Sequence, residues 1–359
     1  MVEFMKKDLK ILIVGDGCWY MYENALADAF IDNGYQNTTL FSYDHYMKEF
    51  KVLKNPLVEN FIYKFQNKFS VGPGVDRLNR EIIQWCKNNQ PDLVFMYRCR
   101  AVYPKTIRYI CKLGSKVFSY NNDNPFSTYY PKFFWRHYKK SIPYCDVNFV
   151  YRESNIQDCI RMGSKRTDIL RSYYIEKLNY PIQEEKHIND IPEVVFLGHY
   201  ENDSRKEYLE ALADNGVTIG IPLSWKGKIN SKNIKFLEGT GDYYNEIICS
   251  AKIALCFFST LNKDTYTRRC FEIPATQTLM ISIYTKDLAS MFTPDKEVVY
   301  FESKEELIEK VKYYLSHNEE RKRIGQAGYA RLKKDGHEAR NRATQIMECY
   351  NKLNEEEKV

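Results

Sequence analysis

The sequence predicts an α/β protein made of two Rossmann-like, doubly wound parallel-sheet domains facing a cleft. Three observations carry that prediction. The chain has 359 residues, beyond the size at which one hydrophobic core stops growing. Short apolar runs alternate with amphipathic stretches in both halves, the signature of βα units. Between the halves, residues 176–193 are charged and carry neither a helical nor a strand period, as a linker does. The expected boundaries are therefore 1–175, a linker at 176–193, a second domain at 194–336 and a closing helix at 337–359.

The elements follow in order. The run "LKILIVGDGC" is a strand that ends in Gly15, Asp16 and Gly17. "WYMYENALADAFIDNGY" reads as a helix ending at Gly34, and "NTTLFSYD" as a second strand. Together they form the β-loop-α-β opening of a parallel sheet. A helix in "RLNREIIQWCKNNQ" leads to the buried strand "PDLVFMYR". "PKTIRYICKLG" is a helix with Pro near its start and Gly past its end. "SKVFSYN" and "CDVNFVY" are strands, separated by the long basic and aromatic stretch "NDNPFSTYYPKFFWRHYKKS". The pattern restarts with the strand "PEVVFLGHY", the helix "SRKEYLEALADNG" and the strands "VTIGIP" and "KNIKFLEG". A helix in "GDYYNEIICSA" and a strand in "KIALCFF" come next. Ser303 and Glu306 have capping-box spacing at the head of "SKEELIEKVKYYLSH".

Composition narrows the function. A net charge of +6 fits an anionic ligand or a membrane surface and is too weak to argue for nucleic acid. The ten cysteines form no C-x-x-C pair and no zinc-spaced cluster, which reads as reduced core residues of a cytosolic protein. The start of the chain has no signal-peptide pattern, and no apolar run approaches the ~20 residues of a membrane span.

Four places could carry chemistry. Gly15, Asp16 and Gly17 stand at the carboxyl edge of a sheet, where ligands bind, but the bulky Trp19 spoils a dinucleotide fingerprint. Asp123, between a strand and Pro125, is a candidate for acceptor activation or an ordinary Asx-turn. His137 is a second possible base, or a packed histidine. Gly198 precedes a helix start carrying Arg205 and Lys206, either a phosphate site or a solvated basic pair. Trp225 follows a strand where a nucleobase would sit, or packs in the core. The fourth place is "TRRCFEIPAT": paired arginines suit phosphate, and the carboxylate of Glu272 suits a ribose. Arg269 would face the ligand, and Arg268 solvent or a structural carboxylate.

That last stretch opens a run, to "GQAG" at 325–328, that resembles the carboxyl half of group 1 (family 4-like) glycosyltransferases. It is closest to the subgroup typified by spore-maturation glycosyltransferase-like proteins. Arg269, Phe271, Glu272, Pro274 and Ala275 match the pattern's core, and Phe292, Glu297, Tyr300, Phe301, His317, Arg321, Ile324 and Gly328 match its continuation. The resemblance implies two Rossmann-like domains with a nucleotide-sugar held mainly by the second. It also implies a closing helix packed back on the first. Glu272 would hold the ribose hydroxyls and Arg269 would lie near the diphosphate. The wider superfamily has Glu-x7-Glu; Asp264 takes the first place here. Thr276, with Gln277 and Thr278, stands where relatives have a glycine near the phosphates.

No Asp-x-Asp occurs, so no carboxylate pair of the usual kind is offered to a divalent metal. The resulting expectation is a metal-independent, cytoplasmic glycosyltransferase without a cofactor. It would use a nucleotide-diphosphate sugar and a glycan or lipid-linked acceptor, in bacterial surface glycan synthesis. Arg269 and Arg205 would stabilise the leaving diphosphate. Residues 129–140 interleave basic and aromatic side chains and suggest peripheral contact with the inner membrane face. A sugar-nucleotide epimerase of the same fold and a non-catalytic carbohydrate-binding protein are the alternatives.

Overall fold

A computed structural model describes residues 8–48, 56–239, 241 and 243–357, so Asp242, in the expected helix at 241–251, lies outside the described residues. The chain divides into two compact units, Met1–Arg171 with Ala339–Val359, and Ser172–Glu338. The stretch 176–193 belongs to the second unit.

The first unit carries six strands: β1 (Ile11–Gly15), β2 (Thr38–Ser42), β3 (Leu93–Tyr97), β4 (Lys116–Asn121), β5 (Val147–Val150) and β6 (Thr167–Ile169). They form one sheet in the order β2-β1-β3-β4-β5-β6, every pairing parallel. Its helices are α1 (Ala25–Asp32), α2 (Asp44–Lys48), α3 (Pro56–Phe69), α4 (Pro73–Asn89), α5 (Pro104–Lys112), α6 (Arg136–Ser141) and α7 (Ser154–Arg161). The central strands β1 and β3 are buried along their whole length, because crossover helices cover both faces of a parallel sheet.

The second unit repeats the plan with β7 (Val194–Val195), β8 (Ile219–Pro222), β9 (Ile234–Leu237), β10 (Ile253–Cys256), β11 (Leu279–Ile283) and β12 (Val299–Phe301). The order β12-β11-β10-β7-β8-β9 is that of a dinucleotide-type doubly wound sheet, again all parallel. Its helices are α8 (Arg205–Asp214), α9 (Tyr244–Ser250), α10 (Arg269–Ala275), α11 (Lys286–Met291), α12 (Lys304–Ser316) and α13 (Asn318–Lys334). The chain closes with α14 (Ala339–Glu356), which packs on α1 in the first unit. There the Asn33 amide donates to the Arg340 carbonyl at 2.8 Å.

Local signals explain most ends. Ser303 accepts from the Glu306 amide at 3.1 Å. The Glu306 carboxylate reaches back to the Glu302 amide at 2.7 Å, so the reciprocal cap closes one residue earlier than the usual box. Nine of the cysteines are buried or half-buried, only Cys18 is exposed, and none forms a disulfide. The helices that escaped the sequence reading include α2, α3 and α7. α3 lies between weak punctuation, and it leaves Leu57, Phe61 and Phe65 exposed, so no buried stripe marks it.

Candidate active site

Each sheet has one switch point, where successive crossovers leave in opposite directions and open a crevice at the carboxyl ends of the strands. In the second unit it lies between β7 and β10. Gly198 follows β7 there. A Cβ on it would stand 2.3 Å from the Phe196 ring, so only glycine allows the chain to turn back over that ring. The Gly198 carbonyl accepts from the Trp225 indole at 2.7 Å, and Trp225 is fully buried. Trp225 is therefore a core residue that clamps the turn, and its face is not open to a base. This corrects the base-stacking expectation.

Arg205 differs in the same way. Its guanidinium is 2% exposed and donates to both Asp203 oxygens at 2.8 and 3.0 Å. Its Nη2 lies 2.7 Å from Glu201, close enough for an ion pair but without hydrogen-bond geometry. Two carboxylates thus neutralise Arg205, and it braces the loop after β7 instead of standing free for a diphosphate. Glu201 is held in turn by Ser259, whose hydroxyl donates at 2.8 Å, and by His199 at 3.1 Å. Burial opposes ionisation of Glu201, but His199, Ser259 and Arg205 outweigh it and hold the carboxyl at about 2. Lys206 pairs loosely with Glu210 at 3.5 Å as a solvated i,i+4 pair of the kind worth well under 1 kcal/mol.

The helix α10 carries the two residues on which the sequence reading rested. Arg269 opens it. Its guanidinium lies over the Phe196 ring at 5.6 Å, and Nη2 donates to the Phe257 carbonyl at 3.3 Å, just beyond β10. Its Nε is buried and has no hydrogen-bond partner among the described residues. Glu272 is buried and accepts from Arg268 at 2.5 Å and from the Tyr244 hydroxyl at 3.0 Å. Arg268 stacks on Tyr173 at 5.0 Å. The two adjacent arginines do diverge, and the structural carboxylate that Arg268 meets is Glu272 itself. The i,i+4 spacing of that pair was a signal open to sequence reading. Asp264 is half-buried after β10, with its amide donating to the Ser259 carbonyl at 3.1 Å.

Thr276 is not at this edge. Seven helical residues span about 10 Å, so α10 runs from the carboxyl end of β10 to the amino end of β11. Thr276 caps the far end, its hydroxyl donating to the Ile273 carbonyl at 2.7 Å. The glycine-for-threonine departure therefore does not bear on phosphate approach.

In the first unit the switch point lies between β1 and β3. Gly15 ends β1, Asp16 follows, and Gly17 turns the chain at φ +77°. Arg98 follows β3 in the left-handed region at φ +53°, a conformation that costs a non-glycine residue about 1 kcal/mol or more. It joins three strand ends, reaching Asp123 at 2.6 Å and Asp16 at 3.5 Å. The Asx-turn expected of Asp123 is made by Asn121, whose side chain accepts from the Asp123 amide at 3.0 Å. A cavity of about 220 Å³ opens here, lined by Asp16, Tyr43, Asn67, Arg98, Arg100 and Trp135 among others. Arg100 lies over Phe134 at 4.7 Å, and its Nη1 is buried without a partner among the described residues. Neither Arg98 nor Arg100 was singled out in the sequence, although "YRCR" follows a strand just as Asp16 and Asp123 do. His137 stands apart: its ring nitrogen lies 3.0 Å from the Ser70 carbonyl and its ring packs on Tyr103. Burial, with the charge of Arg136, pulls it down to about 4, so at neutral pH it is an uncharged packing residue.

The comparisons agree with this geometry. The pattern of a family described as glycosyl transferase-like matches residues 205–348. No curated protein matches the chain. Among solved structures, a sucrose-phosphate synthase from Thermosynechococcus elongatus superposes with a TM-score of 0.69 at 12% identity, covering 96% of this chain and 99% of that one. Anabaena Alr3699/HepE, solved with UDP and glucose, gives 0.66 at 10% identity over 96% and 100% of the two chains. An α,α-trehalose 6-phosphate synthase from Burkholderia multivorans gives 0.64 at 10% identity over 97% and 99%. At such identities the likeness establishes the shared fold. The chain thus carries a glycosyl transferase-like region at 205–348, set in a two-sheet fold shared with the superposed structures.

Proposed function

We propose that the chain moves a sugar from a nucleoside diphosphate sugar to an acceptor hydroxyl, and that Arg269 and Glu272 hold the donor. The observation that carries this reading is the unpartnered Nε of Arg269, a buried donor at the carboxyl edge of the second sheet. Leaving such a donor unpaired costs about 1–3 kcal/mol, which a diphosphate oxygen would recover. Negative charge grows on that oxygen as the glycosidic bond breaks, so a fixed guanidinium favours the transition state over the ground state. Glu272, its two oxygens each taking one donor, has lone pairs left for ribose hydroxyls. Asp264 is a further donor-side residue in this reading, and the Gly198 turn shapes the same edge. On the first unit, the Asp16, Arg98 and Asp123 cluster is where an acceptor hydroxyl would be oriented. The chain would work without a divalent metal, since arginine supplies the charge and no Asp-x-Asp is present.

The test is calorimetry with UDP, GDP, dTDP and CMP, with and without EDTA. One nucleotide should bind wild type equally in both. Glu272→Gln should weaken it about 10- to 150-fold, the worth of one charge-assisted hydrogen bond, with Arg268 and Tyr244 still able to contact the amide. Unchanged binding with a melting point several degrees lower would make Glu272 only a structural partner of Arg268. Binding and turnover that vanish in EDTA and return with Mg²⁺ would overturn metal independence.

The finer reading is a peripheral enzyme of the inner membrane face, acting on a lipid-linked acceptor in surface glycan synthesis. Among the described residues no helix is long and apolar enough to cross a membrane. In the stretch 129–140, Trp135 and Tyr138 are buried, while Tyr129, Lys132 and Lys140 are exposed. Surface contact through them would be electrostatic in the main, at about 1 kcal/mol per basic residue. Binding to anionic vesicles should therefore fall about 30-fold in a Lys132→Ala/Lys140→Ala variant. Equal sedimentation of both proteins would count against this contact.

A further inference from the structure

The amino edge of the second sheet, opposite the candidate donor residues, holds a larger cavity that the reading above does not use. It measures about 550 Å³ and is lined by the ends of α9 and α10, the start of α13 and the segment 181–187. Its charged lining groups are Lys252, Arg321 and Lys322 against Glu184. Lys322 pairs with Glu184 at 2.9 Å, and Lys252 pairs with Glu193, which stands outside the cavity. One positive charge is left over, that of Arg321. It is 6% exposed and makes no ion pair within 4 Å among the described residues. Its Nη1 donates at 2.8 Å to the Tyr314 carbonyl in the last turn of α12, and its Nη2 donates to Asn318. Those partners are neutral; burial pulls the guanidinium below its ordinary value, and the charge of Glu193, already paired with Lys252, only partly offsets it. Buried charges are as a rule matched by a counter-charge.

The helix ends argue on both sides. The C-termini of α9 and α10 present partial negative charge to the cavity, and each amounts to about half a unit at most. The N-terminus of α13, a helix of 17 residues, presents the opposite sign, and no side chain caps it. Gln277, held at φ +64°, and the amides of Asn318 and Gln326 line the same space. A cavity with a buried guanidinium that makes no ion pair of its own among the described residues, three amide side chains in its lining and two further cations at its rim is fitted to an anion.

We propose that this cavity is a second ligand site, distinct from the donor residues, and that it takes the oxyanion of a small phosphorylated metabolite or of phosphate itself. Arg321 is its central cation and Lys252 and Lys322 are its rim. The site does not depend on the sugar-transfer reading, because all of its residues lie at the other end of α10 from Arg269.

The test is calorimetry of the whole chain with inorganic phosphate and with a hexose 6-phosphate, at low salt and with saturating UDP present. Both should bind wild type with UDP in place. Tighter binding of the hexose phosphate identifies a metabolite site, and equal affinity a phosphate site; either supports the proposal. Lys252→Glu/Lys322→Glu, at a half-buried and an exposed position that can change without unfolding the chain, should weaken phosphate at least tenfold. Arg321→Lys, which keeps the charge and loses the fork, should weaken it as well while UDP binding stays at the wild-type level. The proposal is overturned if neither anion binds at millimolar concentration. It is equally overturned if UDP displaces them, or if Arg269→Ala removes their binding and the cavity variants do not.

Discussion

Arg269→Ala is expected to lower kcat by about 10²–10³-fold with whichever nucleotide-sugar the wild type uses, the range found when one preorganised donor to a developing oxyanion is removed. The wild-type guanidinium is fixed before the donor arrives. Phe196 supports its face at 5.6 Å and the Phe257 carbonyl holds Nη2 at 3.3 Å. A group so held loses little freedom when charge appears in front of it, which is what favours the transition state. KM should rise less than kcat falls, because the diphosphate carries its full leaving-group charge only as the bond breaks. Arg269→Lys should recover part of the loss, since a point charge remains but the fork does not. The fold should tolerate the alanine. The substitution gives up one long hydrogen bond and one ring contact, and it also removes a buried donor that has no partner among the described residues. The check is steady-state kinetics beside thermal melts of all three proteins. Wild-type kcat in the alanine variant, with a melting temperature several degrees down, would make Arg269 a strut between β7 and β10 and nothing more.

The parts of this arrangement that could be read in the sequence are those fixed by local rules. Alternating apolar runs and helices gave two parallel sheets, and strand ends marked by Gly15 and Gly198 fell at or beside the two switch points. The divergence of Arg268 and Arg269 follows from helical geometry alone. The length of α10 also carries information, and using it would have put Thr276 at the wrong edge for phosphate. What could not be read is pairing across elements. Arg205 looked like a free cation at a helix start because the loop that brings Glu201 and Asp203 onto it has no regular period. Trp225 looked like a platform because its indole partner, the Gly198 carbonyl, is 27 residues away. Arg98 and Arg100 needed only the rule applied to Asp16 and Asp123, that residues just past a strand end face the crevice. Glu23 gave no signal at all, for its burial is created by an irregular turn.

That turn yields the last expected result: Glu23→Gln should stabilise the protein at pH 8 and leave it nearly unchanged at pH 5. Glu23 is 2% exposed, on the short π-helical turn Tyr20–Asn24 that follows the loop after β1. Its carboxylate accepts from the Gly17 amide, and its side chain fills the space that the absent Cβ of Gly15 leaves open. Burial raises its pKa from the ordinary 4.5 to about 7, the neighbouring charge of Asp16 adds to the rise, and the backbone bond to Gly17 only partly offsets it. The sign follows from which state holds the proton. Between pH 4.5 and 7 the folded chain keeps Glu23 protonated while the unfolded chain has lost that proton. Folding is therefore favoured by this group below 4.5, and the advantage is lost as pH climbs to 7 and above, where the native state must bury a charge beside Asp16. A displacement of that size corresponds to about 3 kcal/mol between the two ends of the range. Glutamine keeps the acceptor for Gly17, offers its amide to Asp16 as the protonated acid does, and never ionises. The Glu23→Gln melting temperature should exceed that of wild type at pH 8 by roughly 5–10 °C. The gap should close as the pH is lowered through 7 towards 5. A gap that stays constant across that range would mean that Glu23 ionises in the folded protein as it does in the unfolded chain. The glycines around β1 would then be shaping a turn and not sealing a proton beside Asp16.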